Sequence, residues 1–143
     1  RRAAAGGAPR GRAGGSPDWQ DGALVRRANA EAQVLREGAT IGEGVRAAVL
    51  FHEDTFDCAM IVLNGEGAEM SETNNNALDL MYIMASGEDG QVELEIRGDD
   101  APRRLTRGDE ALIPAGREYS LRNCGRDEDN PARLIAVVPR GST

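Results

Sequence analysis

The stretch Gly108–Asn123 reads GDEALIPAGREYSLRN, with the spacing G-x5-P-x-G-x2-Y-x3-N. Each element has a physical task. Gly108 turns the chain into a short strand, Pro114-Ala115-Gly116 makes a tight return, and the residue three beyond Gly116 projects into the interior of a barrel. Tyr119 occupies that inward position.

Outward from that motif, the chain from about Ile41 breaks into short apolar runs separated by Gly, Asn and Asp turns. VRAAVLF, DCAMIVL, LDLMYIMAS, QVELEI, EALIP, EYSLRN and ARLIAVV are the predicted strands. Short runs at this spacing predict an all-β sandwich or barrel. ASGEDGQ is expected to join two of them as a hairpin, and GDDAP to form a second turn.

The strands differ in their alternation. Val92, Leu94 and Ile96 share one face of QVELEI and Glu93 and Glu95 the other, as for a strand with one face in water. In DCAMIVL, LDLMYIMAS and ARLIAVV both faces are apolar, so the outer one must be covered. Two coverings are open: the segment Asp21–Gly38 folds back over it, or a second copy packs there. For the second case the expected dimer-interface residues are Ala59, Ile61, Leu63, Met81 and Ile83, a patch that could exceed the roughly 300–600 Å² a monomer exposes.

All 17 basic residues are arginine, against 24 acids. Residues 1–17 carry four arginines and no acid, so the remaining chain is strongly acidic and repels a phosphate backbone. Contact with nucleic acid or chromatin would therefore fall to the arm. Residues 1–20, rich in Arg, Gly and Ala, are expected to be a disordered arm; residues 21–40 a linker, short helix or strand; residues 41–140 the barrel domain. No run of about 18 apolar residues suggests a membrane span. One histidine, His52, and two cysteines, Cys58 and Cys124, are too few for a histidine-rich or Cys-x-x-Cys metal site. A disulfide between the cysteines stays open. His52 reads as a surface or barrel-lip residue, and Asp99-Asp100 and Asp109-Glu110 as solvated turn charge.

The Gly108–Asn123 motif resembles the second motif of the cupin superfamily, which implies an all-β, cupin-type double-stranded β-helix or jelly-roll barrel. The first cupin motif supplies two histidines and a glutamate. Counting back from Gly87, those positions fall on Asn74, Asn76 and Leu80. With Tyr119 as the fourth, the resemblance implies ligand positions without imidazole or carboxylate. Leucine has no lone pair and an amide oxygen suits a transition metal poorly. No metal, other cofactor or catalytic residue is therefore expected, and no triad or phosphate loop is found. Tyr119 reads as a core tyrosine whose hydroxyl meets an asparagine amide at 74 or 76, and Leu80, Tyr82 and Tyr119 as the lining of an inner pocket.

LDLMYIMASG, GDEALIPAGREYSLRN and NPARLIAVV, within Ile41–Val138, further resemble the centromere protein C family, which ends in a metal-free dimerisation cupin. Arg10, Arg12, Pro17 and Trp19 resemble that family's nucleosome-binding motif, although Asp18 stands where its tyrosine would be. There, arginines engage the histone acidic patch and an aromatic pair packs on the histone tail, tasks that suit bidentate guanidinium and a large ring. The resemblance implies a non-catalytic homodimerisation domain of a nuclear, centromeric scaffold. It would contact the nucleosome through the arm and a kinetochore protein or peptide at the barrel pocket. A metal-free cupin binding a peptide or small ligand is the alternative, followed by a cupin enzyme.

Overall fold

The computed structural model describes residues 18–20, 23–25, 34, 36–99, 101–125 and 130–140. Arg10 and Arg12 lie outside them. The described residues include twelve strands: β1 (Asp18–Gln20), β2 (Ala23–Val25), β3 (Ala39–Gly42), β4 (Val45–His52), β5 (Phe56–Leu63), β6 (Glu69–Thr73), β7 (Leu80–Ser86), β8 (Val92–Ile96), β9 (Arg103–Leu105), β10 (Glu110–Ile113), β11 (Glu118–Asn123) and β12 (Ala132–Pro139). β1 and β2 form a separate two-stranded pair, with Trp19 opposite Leu24. Residues 34, 36 and 37 are helical, and this turn ends where the Gly38 amide donates to the Val34 carbonyl at 2.8 Å. The segment expected as either helix or strand thus contains a short piece of each. No helix among the described residues is long and apolar enough to cross a membrane.

The remaining strands make two antiparallel sheets, six strands in the order β10-β7-β12-β5-β4-β3 and four in the order β6-β11-β8-β9. Consecutive strands therefore often lie in different sheets. The turn after β7 carries the chain across to β8, so ASGEDGQ is a crossing between sheets and not the hairpin its composition predicts. The later turn does make a hairpin, since β8 and β9 pair antiparallel. At Gly116 the return between β10 and β11 needs a φ of 80°, a backbone region open to glycine at no steric cost.

Inward side chains of both sheets form one core containing Ile61, Leu63, Met70, Leu80, Tyr82, Met84, Leu94, Ile113, Leu121 and Leu134. QVELEI alternates as predicted, with Val92 and Leu94 in that core and Glu95 exposed.

For β5 the two apolar faces concealed the direction of the pleat, and the expectation for three residues is reversed. Cross-strand partners share a face: Ile61 sits opposite Leu134 and Leu63 opposite Ala132, all buried inside the barrel, with Ala59 packed against the same core. Ala59, Ile61 and Leu63 therefore do not present an outer interface. The outward residues of β5 are Cys58, Met60 and Val62. Met60 and Val62 join Leu50 and Val34 in a second apolar cluster, so the segment before β3 does fold over one end of this face.

Candidate functional site

Five of the residues singled out in sequence, Asn74, Asn76, Leu80, Tyr82 and Tyr119, fall in two settings, the turn after β6 and the barrel interior. Asn74 follows β6 and is 2% exposed. Its side-chain amide donates to the carbonyls of Ile113 (2.9 Å) and Leu78 (3.1 Å), while its Oδ1 accepts from the backbone and side-chain nitrogens of Asn76 (3.1 and 3.0 Å). Its backbone is tied to the Gly116 turn, accepting from the Gly116 amide at 2.7 Å and donating to the Arg117 carbonyl at 2.9 Å. Asn74 thus locks the β6–β7 connection to the β10–β11 connection. Asn74 is the one buried residue of ETNNNA, and its amide satisfies carbonyls that would otherwise lack a donor, while most of the stretch is exposed.

Leu80, Tyr82 and Tyr119 lie together inside the barrel as buried members of the main core. The hydroxyl of Tyr119 finds Tyr82 and not an asparagine. The two oxygens are 2.6 Å apart, and the rings meet edge to face with centroids 5.7 Å apart at 60°. The asparagines are unavailable because each is committed to the turn. Burial is the main cause that raises both tyrosine pKa values; Tyr119 is pushed up to about 12, with the Tyr82 hydrogen bond opposing and Glu72 adding to the rise. Glu72 lies directly opposite Tyr119 in the β6–β11 register and faces the same way at the exposed rim. Sequence reasoning missed Glu72, since only the register reveals that its side chain shares a face with Tyr119.

These groups do not fit a transition-metal site. Leu80 offers no donor, Asn74 spends its amide on the turn, and Tyr82 and Tyr119 are neutral phenols bound to each other. Among the described residues no group of three or more His, Cys, Asp and Glu side chains could hold a metal ion. His52 is exposed at the end of β4, with its Nδ1 2.7 Å from Asp57 and 3.0 Å from Arg140, away from the barrel interior. Cys58 and Cys124 are free thiols, so no disulfide links them. Burial raises the pKa of Cys58.

The outward face of the six-stranded sheet is the second candidate surface. Here the sequence-predicted Met81 and Ile83 alternate with buried Tyr82 and Met84, and both point outward and are half-buried. Register places Phe51, Cys58, Val137, Met81 and Leu112 side by side across β4, β5, β12, β7 and β10. At about 4.8 Å between strands, this apolar row runs roughly 19 Å. Leu112 at its end is 58% exposed, and Phe56 beside it on β5 is 36% exposed. The outer face of the four-stranded sheet is the opposite in character. Arg122 and Arg104 reach Glu93 at 2.9 and 3.5 Å, and Arg97 reaches Glu118 at 2.7 Å.

No protein-family model and no curated protein matches the sequence. Solved structures do match in shape. The Cnp3 cupin domain of Schizosaccharomyces pombe is 16% identical, with a TM-score of 0.58 over 82% of this chain and 71% of that one. KdgF from a Halomonas species is 15% identical, with a TM-score of 0.55 over 73% of this chain and 89% of that one. A predicted oxalate decarboxylase of Thermotoga maritima is 21% identical, with a TM-score of 0.54 over 68% of this chain and 83% of that one. A domain of Cnp3 and a predicted decarboxylase thus stand side by side among the neighbours, and what they share with this chain is architecture: the fold is that of the cupins.

Proposed function

We propose that this domain is a non-catalytic homodimerisation module that joins two copies of a centromeric scaffold. The observation that carries the dimer is the apolar row on the outward face of the six-stranded sheet, set against a salt-bridged face on the other sheet. A second copy of the same face is its natural partner, because a two-fold axis pairs an apolar row with itself and leaves the charged face in water. The centromeric setting, in the nucleus, rests on the resemblance of Gly108–Asn123 and NPARLIAVV to the centromere protein C family. In that setting the arm bearing Arg10, Arg12 and Trp19 contacts the nucleosome. Dimerisation would then act through avidity, since two linked arms raise the effective concentration for paired sites.

Light scattering on the full chain at micromolar concentration tests the module. A dimer that becomes a folded monomer on Met81→Asp supports it, and a wild-type monomer rejects it. Centromeric foci of the tagged protein in dividing cells test the setting separately.

One observation favours a second reading, a peptide or small ligand held at the barrel mouth: the paired hydroxyls of Tyr82 and Tyr119 stand beside the exposed Glu72 carboxylate. A melting temperature raised by a candidate ligand and unchanged in Tyr119→Phe would count against that mode.

A further inference from the structure

Among the described residues the barrel is bridged on one side only. Where β3 meets β6, Glu43 and Glu69 form an isolated bridge and the Glu69 amide donates to the Glu43 carbonyl at 3.1 Å. Across the barrel the remaining two sheet edges, β9 and β10, form no such bridge among the described residues, and a cleft of about 550 Å³ lies between them. That volume is ordinary for a binding pocket, which spans roughly 300–1,000 Å³. The inward-facing Leu94, Ile96, Leu105 and Ala111 give it an apolar lining, and Arg103 and Glu110 give it charge.

The backbone of β10 is oriented to use this space. Asp109 accepts at its carbonyl from the Met84 amide at 3.0 Å, and Ile113 accepts from the Asn74 side chain at 2.9 Å. Both carbonyls therefore point toward the β7 side. Strand alternation turns the amides and carbonyls of Glu110 and Leu112 the other way, toward the free edge that borders the cleft. A sheet edge with unmet donors and acceptors beside an apolar trough recognises an extended main chain.

Charge narrows the partner. Arg117 is bound to Asp99 at 3.1 Å, Arg104 lies 3.5 Å from Glu93, and Asp109 accepts from the Thr106 amide at 2.8 Å. Of the charged side chains lining the cleft, Arg103 and Glu110 alone have neither an ion pair nor a hydrogen bond among the described residues. We propose that this edge takes an extended peptide segment of another protein. The segment adds to β10 as a strand, directs alternate apolar side chains at Leu94, Ile96 and Ala111, and carries an acidic residue for Arg103 and a basic one for Glu110. This site lies apart from the tyrosine pair and shares only its rim, at Leu112, with the end of the dimer face, so probe binding to the unaltered protein is read independently of its oligomeric state.

The test uses two fluorescently labelled eight-residue probes of alternating Val and Thr, with one Asp and one Arg placed in either order. Saturable binding to the full chain by at least one probe is expected, with slowed amide exchange at Glu110 and Leu112. Leu112→Pro removes the outward amide while leaving the β7 pairing intact, and should weaken binding about tenfold or more. N-methylation of alternate probe amides should do the same against the unaltered protein, which guards against misfolding of the variant. Absence of binding by both probes at millimolar concentration overturns the proposal. So does binding that survives both changes, or exchange protection confined to the barrel mouth. Protection of Glu110 and Leu112 that rises with protein concentration alone would place a second copy in the edge, and also overturns it.

Discussion

Tyr82 and Tyr119, on different sheets, hold their hydroxyl oxygens 2.6 Å apart inside the barrel, and they are the only two tyrosines in the chain. Phenol ionisation therefore reports on this pair alone. Burial raises both pKa values above the unfolded value of 10.0, Tyr119 to about 12. A raised folded pKa means the folded state keeps its protons longer, so this contribution is fully present below about pH 10 and is lost as pH climbs toward 12. Tyrosinate absorbance should thus appear late, with unfolding, and the melting temperature should fall above pH 10. In Tyr82→Phe/Tyr119→Phe the alkaline fall should be smaller. Early titration of either phenol near its ordinary pKa would show that the pair is open to water.

Met81 and Ile61 separate the outer face from the core. Met81→Asp places charge within the apolar row, at a half-buried outward position, and should dissociate the proposed dimer while the monomer keeps a cooperative transition. Ile61→Asp places charge within the barrel at a position 4% exposed, and should unfold the domain because a buried unpaired carboxylate costs several kcal/mol. Light scattering paired with thermal denaturation distinguishes these outcomes. Equal effects at both sites would refute the assignment of faces.

Asn123 closes the far end of the motif. Its side chain donates to the Leu63 carbonyl at 3.0 Å and accepts from the Gly125 amide at 2.8 Å, with Gln91 at 3.3 Å, all in the interior. Asn123→Leu should destabilise the domain by about 2–3 kcal/mol, since the Leu63 carbonyl and Gly125 amide lose their partner. Asn123→Asp should cost more, because it keeps the acceptor but turns a buried donor into a charge. Denaturant midpoints measure both.

The barrel was legible where local chemistry and spacing decide it. Gly116 must turn and Tyr119 must face inward, and QVELEI can bury only one side. Legibility ended where both faces of a strand are apolar. Nothing local to Cys58–Leu63 says whether Ile61 or Met60 faces the core; the pairing with Leu134 and Ile135 decides, and that is a long-range fact. The partner of Tyr119 was hidden for the same reason. Tyr82 lies on a different sheet, and the asparagines that looked available are held in the turn, Asn74 by the carbonyls of Leu78 and Ile113 and Asn76 by the Oδ1 of Asn74.

The last prediction concerns metal, and it turns on Asn74. Protein purified from a metal-replete medium should carry no stoichiometric transition metal by elemental analysis, because the four motif positions offer two amides, an aliphatic chain and a buried phenol. Restoring a single ligand should not help. Asn74→His cannot reproduce two amide donations to Ile113 and Leu78 together with two acceptances from Asn76, so it should cost about 1–3 kcal/mol of stability and gain no metal. Adding zinc should leave the melting temperature of that variant unchanged, whereas a functional site would raise it by mass action. Tight zinc uptake by the unaltered protein, with a matching rise in melting temperature that Tyr119→Phe abolishes, would return the barrel interior to metal chemistry and remove the ground for a purely structural module.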